Sequence, residues 1–301
     1  MLEKRAFEPE FLQKLDSLVL GVTRARTIRA GRRAGGRVLG TGIEPESFRD
    51  YAEGDDLRYL DWNALARLDD LTIRTFRAER QLEITILIDA SASMGAPRED
   101  DKFGLALLLG AALAYVAMSE NDPVRLVAFS GAKGATQVVR SGFHRRRETF
   151  LEFRPFVASL RCGGEAQMAA AVADLLAERR PKGMVVLISD FLLTETDYET
   201  ALTRLLAARH ELKVLHVMGE REVAGSYPPG AYRIRDAETG EIREITLNAA
   251  SAAACRTRAA THAERVRAAC LRRGISHAQA FGAGNADAII MREFPRLGVI
   301  S

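Results

Sequence analysis

Leu82-Glu83-Ile84-Thr85-Ile86-Leu87-Ile88-Asp89-Ala90-Ser91-Ala92-Ser93 is the stretch on which the reading of this chain turns. Leu82 to Ile88 is an apolar run of strand length that stops at an acid followed by small residues. Asp101 to Ser119 then reads as a long, mostly buried helix. The alternation continues downstream. Val124–Phe129 and Gln137–Val139 read as two strands of a hairpin, and His144–Leu160 and Ala166–Arg180 as helices. Met184–Ser189 (MVVLIS) is a fully apolar strand ending at Asp190, followed by a helix over Thr194–His210 and a strand over Leu212–Met218. A polar hairpin turned at Thr239-Gly240, a helix over Ala249–Gly274, a short strand at His277–Phe281 and a helix at Ala286–Phe294 complete the pattern. Apolar strands interleaved with helices require a mostly parallel sheet covered on both faces, so the fold class is α/β and doubly wound. Ligands of such sheets bind at the carboxyl ends of strands, near the point where strand order reverses.

Upstream the rhythm is different. An opening helix is expected over about Pro9–Thr27, followed by glycines and charges with little alternation. Residues 1–80 therefore read as an N-terminal elaboration on an α/β domain spanning 81–301.

The composition agrees with a globular chain. Across 301 residues, 47% are apolar and the mean hydropathy is -0.09, enough to bury a proper core. Forty-three Lys+Arg against 40 Asp+Glu leave +3, which excludes an acidic solvating tail and gives no overall pull toward nucleic acid. Cys162, Cys255 and Cys270 are odd in number and far apart, so neither a disulfide framework nor a zinc ribbon is implied. The opening MLEKRAFEPEFLQKL carries charges where a signal peptide needs its apolar run. Phe103–Met118, the longest apolar stretch, is shorter than the roughly 18 residues of a spanning helix. The expectation is a cytoplasmic protein without a membrane segment.

Asp89-Ala90-Ser91-Ala92-Ser93 has the pattern D-x-S-x-S at a strand end. One carboxylate and two hydroxyls there suit a hard cation such as Mg2+ (or Mn2+), and the small Ala90, Ala92 and Gly95 permit a tight turn around it. The same residues equally suit a capped helix N-terminus. Asp190 adds a second carboxylate on the same rim, and two such acids repel unless a cation or a proton lies between them.

These features resemble a von Willebrand factor A domain: D-x-S-x-S after the first strand, a Gly163-Gly164 loop before a helix, and a later apolar strand ending in Asp190. The resemblance implies a metal-ion-dependent adhesion site (MIDAS). Ser91 and Ser93 would be direct ligands, and Asp89 and Asp190 would act directly or through water. The family's remaining ligand is a Thr in the Gly-rich loop; here Glu165 stands in its place, able either to supply an anionic ligand or to turn away. Upstream, the run Phe48–Arg67 (FRDYAEGDDLRYLDWNALAR) is similar to the R-x-Y-x-x-G-D-D-x-R-x-I-D-W-x-x-x-A-R signature of the bacterial domain of unknown function 58 family, with Leu60 for Ile. Together the two resemblances cover nearly the whole chain from about residue 30. Membership implies a partner, a MoxR-type AAA+ ATPase, and chaperone-like assembly or maturation of a client protein. The function so implied is non-enzymatic binding through a metal whose open position takes a partner carboxylate.

Within the signature, Asp55, Asp56 and Asp61 alternate with Arg49, Arg58 and Arg67 around Trp62, the only tryptophan. That pattern suits either an ion-pair cluster anchored by Trp62 or a partner-docking surface formed by Asp55, Asp56, Arg58, Asp61 and Trp62. Arg24–Arg37 holds six arginines and no acid, which raises nucleic-acid binding as an alternative, but no aromatic residue is interleaved for stacking. His144–Arg147 is most simply a basic surface start of a helix, and His216 a core residue. No G-x-x-x-x-G-K-[ST], H-E-x-x-H or G-x-S-x-G occurs. A metal-dependent phosphoesterase using Asp89 and Asp190 is the enzymatic alternative; it needs a Lys or Arg at the rim that the sequence does not nominate.

Overall fold

The computed structural model describes residues 2–16, 39–52, 55–68, 70–77, 82–132, 135–282 and 286–298. The chain divides into two units, one formed by Met1–Arg26 with Leu82–Ser301 and the other by Thr27–Gln81. The expected segment 1–80 is thus shared between them. The Arg-rich stretch Arg24–Arg37 lies outside the described residues.

In the smaller unit, strands β1 (Leu39–Asp50) and β2 (Thr72–Arg77) pair antiparallel, with register shifts between Gly40 and Pro45 and between Pro45 and Ser47. Bulges break the period-2 signal, which is why no strand is legible here from sequence alone. A 3-10 turn (Leu57–Tyr59) and helix α1 (Trp62–Leu68) lie between the strands in sequence.

The larger unit is built on a six-stranded sheet. Its strands are β3 (Ile84–Asp89), β4 (Val124–Ala132), β5 (Ala135–Arg140), β6 (Met184–Ser189), β7 (Glu211–Met218) and, after the exposed hairpin β8 (Gly230–Arg235) and β9 (Ile242–Leu247), β10 (Ser276–Phe281). The order across the sheet is β10-β7-β6-β3-β4-β5, parallel except for the edge pair β4–β5. Counted along this unit, that is the order 3-2-1-4-5-6 read from the β5 edge, a doubly wound sheet whose direction of growth reverses between β3 and β6. Both faces are covered, so neighbouring residues on one strand feed different cores. Ile86 and Ile88 join one apolar cluster and Leu87 the other. Burial on both faces is the reason β3 and β6 read as unbroken apolar runs.

The first core is organised by α2 (Lys102–Ser119), an 18-residue helix buried almost all round. By length and composition it is apolar enough to cross a membrane, but it lies inside this unit. It packs against the sheet, the helix Ala286–Leu297 and the N-terminal segment, whose Ala6, Phe11 and Leu15 are buried. Residues 9–16 of that segment are helical, and the rest of the expected opening helix lies outside the described residues. The second core is closed by Met168–Ala177 and Glu195–Ala207.

Two helix expectations are corrected. The span His144–Leu160 is not one helix: a 3-10 stretch (Arg147–Glu152) leads into a short α-helix (Phe153–Ser159). Pro155 lacks an amide donor and clashes with the carbonyl four residues earlier, which disfavours it beyond the first turn, and the α-helix here starts two residues before it. The helix expected from Ala166 begins at Met168, where Asp197 accepts the Met168 and Ala169 amides at 2.8 and 3.2 Å.

Candidate metal centre

Asp89 closes β3 and Asp190 follows β6, so the strand reversal brings both acids to one rim. Asp89 and Ser91 are fully buried and Asp190 nearly so. Both oxygens of Asp89 are engaged: Oδ1 accepts from the Ser91 amide at 2.9 Å and Oδ2 from Ser189 Oγ at 2.6 Å. Ser91 heads a 3-10 turn (Ala92–Gly95), yet its hydroxyl caps no amide. It lies 2.9 Å from Ser93 Oγ, which in turn donates to Asp190 Oδ1 at 3.3 Å.

The Gly-rich loop is stitched to this turn by two backbone hydrogen bonds. Gly163 N donates to Ala90 O and Ala92 N to Gly164 O, each at 2.9 Å. Gly164 has φ 68°, a left-handed conformation for which glycine is suited. Glu165 follows it with its side chain exposed. Its carboxylate makes no hydrogen bond to Ser91, Ser93 or Asp190 among the described residues.

Lys102, which carries no signal in the sequence, is a buried cation at the site. Its side chain is fully buried, and Nζ lies 2.9 Å from Asp190 Oδ2 and 2.8 Å from Glu222 Oε1. An ammonium at the first position of a helix opposes the helix dipole, and burial also works against its charge. Asp190 and Glu222 outweigh both and hold the ammonium above the usual lysine value. Asp89 has no such partner. Burial first, and then the Asp190 charge, push its carboxyl up to about 7, against the hydrogen bonds from Ser189 and Ser91. Asp190 is thus balanced by a lysine, whereas Asp89 is held only by hydrogen bonds.

Three more neighbours come from distant segments. His216 and His262 each direct Nε2 at the Asp190 carbonyl, at 3.1 and 2.9 Å, with their rings 5.3 Å apart. Burial, then His262 and His277, hold His216 well below the usual histidine value, and its Nδ1 has no partner. Glu238, in the turn between β8 and β9, lines a cavity of about 640 Å³ with Glu165, Phe191 and His262. One of its carboxylate oxygens, Oε1, is buried without a partner. Burial and the charges of Asp190, Asp236 and Glu165 raise its pKa, against the Ala166 amide.

The donor set suits a hard divalent cation. Mg2+ holds oxygens at about 2.0–2.1 Å in an octahedron, so adjacent ligand oxygens stand about 2.9 Å apart. The Ser91–Ser93 separation of 2.9 Å equals that spacing and the Ser93–Asp190 separation of 3.3 Å exceeds it; both are hydrogen bonds that a cation would replace. Lys102 occupies Asp190 Oδ2, and Oδ1 accepts from Ser93 Oγ at 3.3 Å and from the Leu192 amide at 3.0 Å. Among the described residues no group of three His, Cys, Asp or Glu side chains converges as a metal set, so a cation here would depend on the hydroxyls.

The residues of the Phe48–Arg67 signature sit in the other unit. Asp56 accepts from the Arg58 amide at 3.0 Å and pairs with the Arg58 guanidinium at 2.6 Å, an exposed contact within one turn. Asp55 Oδ2 accepts from the Ala52 amide at 2.9 Å. Asp61 is buried and accepts from the Asn63 amide at 3.0 Å, at the start of α1. Trp62 does not anchor the segment: it is 62% exposed, and among the described residues of this unit the buried apolar ones are Leu60 and Ile73.

The sheet order, with D-x-S-x-S and Asp190 at its reversal, defines a von Willebrand A-like α/β protein. The sequence matches the family described as "Protein of unknown function DUF58" over residues 47–269, and the chain belongs to that family. It is 31% identical over 217 residues to the "Uncharacterized protein Rv1480" of Mycobacterium tuberculosis (strain ATCC 25618 / H37Rv), covering 71% of this chain and 67% of that one. Similar solved structures include the conserved hypothetical protein BatB from Bacteroides thetaiotaomicron, at 16% identity, TM-score 0.43 and coverage of 72% of this chain and 98% of that one. The SpRpn10 VWA domain aligns at 16% identity and TM-score 0.34, over 46% of this chain and 75% of its own.

Proposed function

We propose that the protein is a non-enzymatic protein-binding module with a MIDAS-type site that binds Mg2+ or Mn2+ and takes a carboxylate from a partner. The observation that carries this reading is the hydrogen-bonded oxygen set Ser91, Ser93 and Asp190 on the switch-point rim. Asp89 holds the Ser91 turn through the Ser91 amide and is itself fixed by Ser189 of β6, and Lys102 balances the charge of Asp190. When bound, the metal would be held by Ser91, Ser93 and Asp190 and would supply an electrophile for the partner carboxylate. Lys102 is buried against two carboxylates and so is not presented to a substrate phosphate, which favours binding over the phosphoesterase alternative. From the family resemblance, the partner is a MoxR-type AAA+ ATPase, acting with this chain on a client protein. Asp55, Asp56, Arg58 and the exposed Trp62 offer a second docking surface, whereas Asp61, expected with them, is buried and holds the start of α1 instead.

Calorimetric titration of Mg2+ and Mn2+ into the wild type and into Asp89→Ala/Ser91→Ala tests the site. Saturable binding by the wild type, lost in a variant that keeps its circular dichroism spectrum, supports it. Equal binding by both would place the metal elsewhere. Turnover of a generic phosphoester with Mg2+, abolished by Asp89→Ala, would replace this reading with the enzymatic one.

A further inference from the structure

Beside the metal-site loops, wholly within the larger unit, lies an open cleft of about 610 Å³. Its walls include Met94 and Gly95, which directly follow Ser93, and Cys162, which directly precedes Gly163. The floor is apolar: Met94, Leu107, Val157 and Leu160 are buried beneath it, flanked by the half-buried Phe7 and Phe103. The rim is cationic. Lys4, Arg98, Arg154 and Arg161 all line the cleft and are exposed. Among the described residues no acidic side chain pairs with any of them, and Arg161 is held by the backbone carbonyls of Ala158 and Leu160, both at 2.7 Å. The one acid lining the cleft, Asp101, is committed to the Gly104 amide at 3.2 Å. Burial and the nearby acids push the Cys162 thiol up to about 12.

We infer that this cleft binds an acidic–apolar peptide segment of a protein partner, with bulky apolar side chains on the floor and flanking Asp or Glu residues paired with Lys4, Arg98, Arg154 and Arg161. A cleft of this size holds two large side chains. Four cations without acidic partners around an apolar floor select an anionic, amphipathic occupant. The inference deepens the proposed binding role, since the cleft adjoins the metal-site loops, but its charge and floor do not require the metal.

The test uses fluorescence anisotropy with a fluorescein-labelled peptide carrying Phe-Leu between two blocks of Asp and Glu, titrated with the full chain at low salt in EDTA. Saturable binding is expected, weakened roughly tenfold or more by Arg154→Glu/Arg161→Glu. Ala158→Trp, which fills the cleft without changing charge, should also weaken it. Arg256→Glu/Arg258→Glu, on an exposed face elsewhere, should leave it unchanged, and a peptide with Ser-Ser for Phe-Leu should bind markedly less tightly. Thermal melts show that each variant is folded. Absence of binding, equal affinity for the Ser-Ser peptide, or insensitivity to both cleft variants overturns the inference. Retention on anionic phospholipid vesicles without peptide binding overturns it as well. Because EDTA is present, peptide binding without Mg2+ calorimetry leaves the cleft standing and removes the metal site; the reverse result does the opposite.

Discussion

Lys102 carries the largest consequence of any single side chain. Replacing it with Met leaves Asp190 and Glu222 facing each other without their buried cation. Breaking a buried pair from one side costs about 3–5 kcal/mol, so Lys102→Met should show a loss of that order in urea denaturation. Lys102→Met/Asp190→Asn should cost less than the sum of the single changes, because the groups share one network. His277 acts through a proton. Burial, then the Arg267 charge, hold its imidazole down to about 4, against Glu293 and Glu264. Unfolding returns it to about 6.5, so the unfolded chain takes up a proton that the folded one refuses between those values. The stability contributed by the neutral ring is complete above about pH 6.5 and is lost as pH falls toward 4. Denaturation midpoints across this range should fall less steeply in His277→Gln than in the wild type.

At the scale of elements, two glycines separate close approach from mere smallness. A Cβ on Gly183, just before β6, would stand 2.1 Å from the Glu83 carbonyl oxygen, which is fixed by the Met184 N–H at 2.9 Å. A Cβ on Gly110, within α2, would meet Ile88 Cδ1 at 2.9 Å, the movable end of a side chain. Alanine is also favoured over glycine in a helix by about 1 kcal/mol. Gly183→Ala should therefore lower the melting temperature clearly and Gly110→Ala little, which differential scanning calorimetry resolves. The loops at the rim are constrained likewise. Gly219 leaves room for Asp100, whose Oδ2 would lie 2.0 Å from an added Cβ, and Asp100 accepts the Arg221 amide at 3.2 Å. That contact holds the start of Glu220–Ala224, and Glu222 with it, against the Lys102 end of α2.

For the whole molecule, the N-terminal segment is structural mortar for the α/β unit. Phe11 and Leu15 are buried against the first core, Phe7 and Phe150 stack with ring centroids 5.3 Å apart, and Asp16 accepts from Tyr115 Oη at 2.7 Å. Burying each large apolar side chain stabilises by about 1.5–3 kcal/mol. Deleting residues 1–16 should lower the unfolding midpoint and raise binding of an apolar dye to the uncovered face of α2. The same deletion removes Lys4 and Phe7 from the cleft.

Much of this was legible in the chain because its causes are local. The apolar runs of β3 and β6 follow from burial on both faces, and a strand ending in an acid declares its rim position whatever the rest of the chain does, so Asp89, Ser91, Ser93 and Asp190 were readable together. The bulged β1–β2 pair was not, because its register shifts erase alternation. Nor was the surrounding shell of the site. Lys102 meets Asp190 across 88 residues and Glu222 across 120, and it reads in sequence as an ordinary first residue of a helix. Glu238 reads as part of a solvent-facing turn and Trp62 as an anchor, although one is drawn partly under cover at the rim and the other is exposed. Periodicity and turn chemistry act over a few residues and are determined by the sequence itself. Which charge meets which across the rim is decided only when the sheet is wound, because burial and pairing depend on segments that the chain brings together from far apart.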